Sequence, residues 1–156
     1  MALVRILVDG YSLLHSWPEL APRAARHSLA AREALVSVLT QYQDVAQTPI
    51  TIFFDGQGAP QGTPKTASRP ELEILYSRAG QTADDMIERT AVRLREYGEV
   101  LVVTDDIAER DTVFGFGVMS SSCGGFINQI ENTLRELVAD LKFHNRRERH
   151  RFRSSS

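Results

Sequence analysis

Three groups of acidic residues stand where carboxylates can do chemistry. Asp9 follows the apolar residues ILV, Asp84 and Asp85 lie in TADDMIERT, and Asp105 and Asp106 follow VLVVT. Carboxylates packed together repel one another unless a cation, a shared proton or solvent compensates their charge. Oxygen ligands suit Mg2+ or Mn2+, which bind through a few carboxylates together with substrate phosphate. The acids therefore indicate either three solvated loops or one metal site.

Other reactive residue types show no comparable arrangement. The four histidines, at positions 15, 27, 144 and 150, lack the spacing of a zinc site, and Cys123 is the single cysteine. The sequence contains neither a glycine-rich phosphate loop ending in Lys-Ser/Thr nor a Gly-x-Ser-x-Gly elbow. The carboxylates are therefore the strongest chemical signal in the chain.

The elements that must position these acids follow from the apolar pattern. Short runs rich in β-branched or aromatic residues predict buried parallel strands at 4–8, 50–54, 72–76 and 100–104, and a short fifth strand at 117–121. Helical spacing predicts helices over 23–45, over 82–98 and from Ser122 onwards. The Gly- and Pro-rich stretch 55–70 predicts a surface loop. Alternating strands and helices indicate an α/β fold with a mostly parallel sheet of four to five strands.

This fold would bring the acids together. Sites in parallel sheets gather beyond the carboxyl ends of the strands, so we expect Asp9, Asp84 and one acid of the Asp105–Asp106 pair at one edge. Helical geometry places Asp84 beside the apolar face of its helix, whereas Asp85, three residues after Thr82, fits a capping box. Alternation along a strand turns Asp105 and Asp106 to opposite sides, and the sequence does not choose between them.

Length and composition favour one compact domain. A chain of 156 residues with 42% hydrophobic content can bury a real core. The N-terminal apolar stretch is interrupted by Arg5 and stopped by Asp9, so it is too short for a signal peptide or a membrane span. The single cysteine fits a reducing compartment. We therefore expect a soluble, cytoplasmic protein with no membrane partner.

The net charge of -2 conceals an asymmetry between the end of the chain and the rest. Residues 142–156 contain six basic residues and one acid, a net charge of +5, whereas the remainder carries -7. Arginine runs of this kind attract nucleic-acid phosphate. A solvated helix end, whose cations suit the helix dipole, explains the pattern equally well. Both readings predict a basic tail over residues 146–156.

The motifs ILVDGYSLLHSWPEL, TIFFDG, ILYSRAGQTADDMIER and VLVVTDD, in this order, resemble the YacP-like branch of the NYN domains, within the PIN-like nuclease group. The resemblance runs from Val4 to about Leu141. It implies a PIN-like three-layer fold, placed here at residues 1–145, and metal-dependent endoribonuclease activity. Some members of the family are linked to ribosomes.

The resemblance also implies roles for particular residues. Asp9, Asp84 and Asp106 match the family's acids, although Asp105 replaces the serine of the usual Thr-Ser-Asp motif and leaves the choice between the last two open. Ser12 stands where the family usually has asparagine, so the positioning of substrate or of metal-bound water would differ.

Together these observations predict a nuclease that cuts single-stranded RNA. Asp9, Asp84 and Asp106 (or Asp105) would hold one or two Mg2+ or Mn2+ ions that activate water for attack on a phosphodiester, leaving 5'-phosphate and 3'-hydroxyl ends. Ser12 and four arginines of the tail, Arg146, Arg147, Arg149 and Arg151, would bind the substrate. The alternative is a noncatalytic RNA- or ribosome-binding module with the same fold, which Ser12 favours.

Overall fold

The structure, a computed structural model, describes residues 3–56 and 69–154, with side chains as far as Arg149. Most of the loop predicted at 55–70 lies outside the described residues. Among them, no helix is long and apolar enough to span a membrane.

The described chain alternates strands and helices. The strands are β1 (Leu3–Asp9), β2 (Ile50–Phe54), β3 (Leu72–Tyr76), β4 (Glu99–Val103) and β5 (Met119–Ser121). The helices are α1 (Gly10–His15), α2 (Leu29–Ala46), α3 (Ala83–Leu94), α4 (Ile107–Gly115) and α5 (Cys123–Ser154), with a short 3-10 turn over Arg95–Tyr97.

The five strands form one parallel sheet in the order β3-β2-β1-β4-β5. Asp9 pairs with Phe53 of β2, and Val8 pairs with Val103 of β4, so the central strands end almost level. The predicted α/β class with a parallel sheet is confirmed. Because all strands run the same way, the residues that follow them meet at one edge.

The core lies on both sides of the sheet, as a three-layer fold requires. Ile6 and Val8 face α1, α2 and α5, where Leu35 and Phe126 are fully buried. Leu7 faces the other side, packed with residues of α3 and α4. Strands buried on both faces carry apolar residues continuously, which explains why their sequences do not alternate.

The start of α2 differs from the prediction. The helix begins at Leu29 rather than at residue 23, because the hydroxyl of Ser28 accepts a hydrogen bond from the backbone N–H of Ala31 and caps it there. Residues 23–28 form turns instead. Alanines at helical spacing in this stretch are compatible with a helix but do not require one.

The turn from β1 into α1 depends on Gly10. A Cβ atom on this residue would collide with the buried ring of Phe54 at the end of β2. Only glycine therefore lets α1 begin directly after Asp9 at this spacing. The close approach of the two strand ends sets the position of the Asp9 carboxylate.

Helix α5 is longer than the core that it covers. Its last fully buried residue is Ile130, and Leu134 is partly buried. Every side chain from Arg135 to Arg149 is exposed. The second half of α5 therefore projects beyond the packed layers, and the basic segment predicted as a tail continues this helix to Ser154.

Candidate metal centre

Asp9 ends β1 and caps the following helix. Its Oδ1 accepts a hydrogen bond from the backbone N–H of Ser12 at 3.3 Å. Burial raises the pKa of this carboxyl to about 6, and the charges of Asp84, Asp106 and Asp55 add to the effect, while the bond from Ser12 opposes it. Asp9 therefore lies in a negative and partly desolvated pocket.

Asp84 lies in the first turn of α3, positioned by the residues around it. The Asp85 backbone N–H donates to the Thr82 hydroxyl at 3.2 Å, and the Thr82 N–H donates to the Asp85 carboxylate at 3.3 Å. The predicted capping box is thereby confirmed. It occupies Asp85 and fixes the helix start that presents Asp84.

Glu109, in the first turn of α4, completes a group of three carboxylates. Asp9, Asp84 and Glu109 each offer one oxygen, and these oxygens lie within 4.8 Å of one another. Glu109 is 3% exposed, and neither of its carboxylate oxygens has a hydrogen-bond partner. Burial first, and then the neighbouring Asp84 carboxylate, raise the pKa of Glu109 well above its ordinary range.

Sequence reasoning did not single out Glu109. The only available signal was its position three residues after Asp106, the D-x-x-E spacing of a capping box. In the structure, the Asp106 backbone N–H donates to the Thr104 hydroxyl instead, so Glu109 does not close such a box. Glu109 is buried because of the way α4 packs in the folded protein, and this packing cannot be read from the sequence.

Asp106 caps α4. Its Oδ1 accepts hydrogen bonds from the backbone N–H groups of Ala108 and Glu109, at 3.0 and 3.3 Å. The carboxylate lies outside the group of three, although its charge contributes to the raised pKa of Asp9.

Asp105 turns towards different helices. Its Oδ2 accepts from the Ser16 hydroxyl at 2.5 Å, and its Oδ1 accepts from the Cys123 backbone N–H at 2.8 Å. The bond from Ser16 is the main cause of the lowered pKa of Asp105. The two acids are thus separated, as alternation along the chain predicts, and neither belongs to the group of three.

Ser12 connects these strand ends. Its hydroxyl accepts from the Asp105 backbone N–H at 3.2 Å and contacts the Cys123 sulfur at 3.4 Å. Burial raises the pKa of the Cys123 thiol to about 12, so it stays protonated and is a poor metal ligand. Ser12 therefore holds the loop after β4 in place.

The group of three has the chemistry of a site for a hard divalent cation. All its ligand atoms are carboxylate oxygens. Burial and other carboxylates raise the pKa of Asp9 and of Glu109, the Ser12 N–H lowers that of Asp9, and no cation is among these influences. A buried carboxylate without a hydrogen bond is costly unless a proton or a metal ion compensates it. The unpartnered oxygens of Glu109 therefore fit a hard divalent cation.

A five-stranded parallel sheet flanked by helices, with a carboxylate cluster at its carboxyl edge, defines a three-layer α/β domain with a candidate metal site at the strand ends. The chain matches the model of the YacP-like NYN domain family over residues 6–155 and belongs to that family. Membership suggests ribonuclease activity.

Relatives in Bacillus subtilis support this assignment. The chain is 27% identical over 133 residues to a protein of strain 168 called "Uncharacterized protein YacP", covering 85% of this chain and 78% of that protein. The crystal structure of Rae1 (YacP) from Bacillus subtilis matches with a TM-score of 0.75 and 26% identity, covering 91% of this chain and 80% of that chain. Its W164L mutant, 24% identical, has the same fold, with a TM-score of 0.74 and coverage of 88% and 80%.

Proposed function

We propose that this protein is a metal-dependent endoribonuclease that cuts single-stranded RNA, with Asp9, Asp84 and Glu109 holding one or two Mg2+ or Mn2+ ions. The observation that carries the proposal is the convergence of three carboxylate oxygens within 4.8 Å, one of the three residues being buried with unpartnered oxygens. Family membership supports the choice of RNA as the substrate.

The chain's own residues divide the work. Asp9 and Asp84 are held by the caps of α1 and α3, so their oxygens are placed before any ligand arrives. Because burial and Asp84 raise its pKa, Glu109 would hold a proton in the absence of a cation and would give it up on binding one. When bound, the ion would neutralise phosphate charge and lower the pKa of a water molecule. Asp106 would act as the cap of α4, and Asp105 would link the loop after β4 to the start of α5.

The proposal is tested by cleavage of a single-stranded RNA with Mn2+ and with EDTA. We expect Asp9→Asn, Asp84→Asn and Glu109→Gln each to lower the rate by about 100-fold or more, because each removes a charge that holds the ion. Asp85→Asn is the matched control, since asparagine preserves the cap and the same charge is lost from the same turn. Calorimetric titration of Mn2+ into each variant measures the binding loss directly.

Two results would contradict this assignment. Cleavage by Glu109→Gln at the wild-type rate would remove Glu109 from the site. Equal losses in Asp85→Asn and Asp84→Asn would show that charge near the helix start, rather than a specific ligand, is responsible.

The alternative function is a noncatalytic RNA- or ribosome-binding module. Ser12 favours it, because a residue that is usually asparagine in the family is here a serine whose hydroxyl bonds the Asp105 backbone and contacts the Cys123 sulfur. Wild-type protein that binds RNA but cleaves no single-stranded RNA with Mn2+, together with an Asp9→Asn variant of unchanged affinity, would establish this alternative. Cosedimentation with ribosomes tests the partner in both cases.

The basic segment is proposed to add affinity for the substrate. Arg146, Arg147 and Arg149 are exposed, and the Arg151 side chain lies outside the described ones. Cations that neutralise phosphates release counterions, so their contribution weakens as salt rises and carries no sequence information. These arginines would strengthen binding without choosing the cleavage site.

A further inference from the structure

The projecting half of α5 carries its positive charge on one face. With about 100° of rotation per residue, Lys142, Arg146 and Arg149 lie within about 40° of Arg135 around the helix axis. We call these four residues the cationic stripe. All four are exposed, and at about 1.5 Å per residue the stripe is about 21 Å long.

The other charged residues of this segment lie elsewhere around the helix. The acids at positions 136, 140 and 148 are about 100° or more from Arg135. Arg147 is about 120° away, on the side of the acids, and its guanidinium lies over the Phe143 ring at 5.8 Å from the centroid. The segment is therefore two-sided, with one face purely cationic and the other of mixed charge.

The stripe is remote from the carboxylate cluster. Helix α5 begins at Cys123, whose backbone N–H binds Asp105 at the carboxyl edge of the sheet. Along the helix, Arg135 lies about 18 Å and Arg149 about 39 Å from that start. A phosphate at the stripe is thus a different phosphate from the one at the carboxylates.

We propose that the cationic stripe binds the phosphate backbone of a base-paired RNA segment, outside the single strand that the site cuts. This inference rests on the proposed function for its choice of RNA. The stripe fits a polyanion, because a row of cations with no acid among them is complementary to a row of phosphates. Residues 1–141 carry a net charge of -7 even with Arg135 included, so the overall charge of this part of the chain does not favour a polyanion.

The composition of the stripe favours paired over unpaired RNA. Proteins that hold single strands stack the bases on aromatic side chains, whereas duplex RNA is recognised by its shape and its phosphates. Within residues 135–149, Phe143 is 60% exposed but is about 80° from Arg135 and lies next to Arg147, outside the stripe. The stripe therefore offers charge on a rigid rod and no stacking surface.

The test compares two double variants of the full chain with equal loss of charge. Arg146→Gln/Arg149→Gln removes two stripe residues, and Arg147→Gln/Arg151→Gln removes two arginines whose positions lie about 120° or more from Arg135. Glutamine keeps the helix, since its helix propensity is close to that of arginine. Fluorescence anisotropy in EDTA measures affinity for a fully paired hairpin RNA and for an unpaired RNA of equal length.

We expect the stripe variant to bind the hairpin about tenfold more weakly at low salt and to show a salt slope reduced by about 2. Because Arg147 and Arg151 add only general attraction for RNA, the control should lose about threefold or less, equally for paired and unpaired RNA, and wild type should prefer the hairpin to the unpaired RNA. Equal losses in the two variants, or an unchanged affinity of the stripe variant, would overturn the proposal. So would equal binding of paired and unpaired RNA by wild type.

This experiment is independent of cleavage because EDTA removes the metal. Hairpin binding through the stripe by a protein that cleaves no RNA would leave the stripe in place and refute the nuclease. If wild type cleaves RNA but the stripe variant binds the hairpin as tightly as wild type does, the nuclease is upheld and the stripe is refuted.

Discussion

At the scale of single residues, Asp9 and Glu109 carry their charge in surroundings that disfavour it. Asp9 is half-buried and Glu109 is fully buried, and each has a raised pKa. A folded protein that holds such groups binds protons more tightly than its unfolded chain does. Without a metal ion, the site therefore opposes folding near neutral pH, and with one it should favour folding.

The pH dependence of the free energy of unfolding measures how strongly the ionised Asp9 carboxylate opposes folding. The pKa of Asp9 rises from 3.8 to about 6 on folding, so its favourable contribution is complete below the unfolded value and is lost as pH rises through about 6. In EDTA, we expect wild type to lose roughly 2 to 3 kcal/mol relative to Asp9→Asn between about pH 4 and about pH 7. Thermal unfolding of the two proteins across this range is the measurement.

The same experiment with Mn2+ provides its control. At about pH 7, the ion should raise the melting temperature of wild type but not that of Asp9→Asn, because it binds the folded site alone. A difference between the two proteins that does not change with pH would show that Asp9 is not perturbed as described.

At the scale of elements, every proposed ligand lies at the capped start of a helix. Asp9 itself caps α1, the capping box of Thr82 and Asp85 begins α3, and Asp106 caps α4 one turn before Glu109. The helix starts thus fix where the carboxylates point. Removing a cap should move a ligand as well as weaken a helix.

Asp106 allows the cap and a direct metal role to be separated. Asparagine caps helices as well as aspartate does, so we expect Asp106→Asn to unfold within about 0.5 kcal/mol of wild type, and Asp106→Ala to lose about 1 kcal/mol. Denaturant unfolding measures both. In the cleavage assay, Asp106→Asn should retain far more activity than Glu109→Gln, and a loss as large as that of Glu109→Gln would make Asp106 a ligand.

At the scale of the whole molecule, the positive end of the chain lies on a helix that the core does not need. Side chains from Arg135 to Arg149 are exposed, while the buried part of α5 ends at Ile130. An acidic body and a basic helix are therefore joined by a single rigid element. Substitutions in the exposed, basic half of α5 can therefore change RNA binding without changing the fold.

Deletion of residues 146–156 tests this separation. We expect a melting temperature within about 2 °C of wild type, because the described side chains of this segment, residues 146–149, are all exposed. The KM for an RNA with a stem beside its single strand should rise several-fold at low salt, while kcat stays within about twofold. A fall in kcat with an unchanged KM would place the segment in the chemistry instead.

Much of the fold was predictable because parallel strands must be apolar on both faces. The runs ITIFF and LEILY correspond to the observed strands at both ends, and the other strands differ by one or two residues. The start of α2 was predicted six residues early, since alanine spacing is compatible with a helix, whereas the cap at Ser28 decides where one begins.

By itself, the sequence determined the strands, the parallel sheet, and the positions of Asp9 and Asp84 at its edge, because strand ends and helix starts are local patterns. The tertiary structure decided that Glu109 is the third carboxylate of the group and that Asp105 turns towards α1 and α5. It also decided where α5 stops packing against the core, which leaves the cationic stripe exposed to solvent. The physical reason is that burial depends on which elements pack together, and a charged residue inside a helix looks the same in sequence whether its helix face meets water or the core.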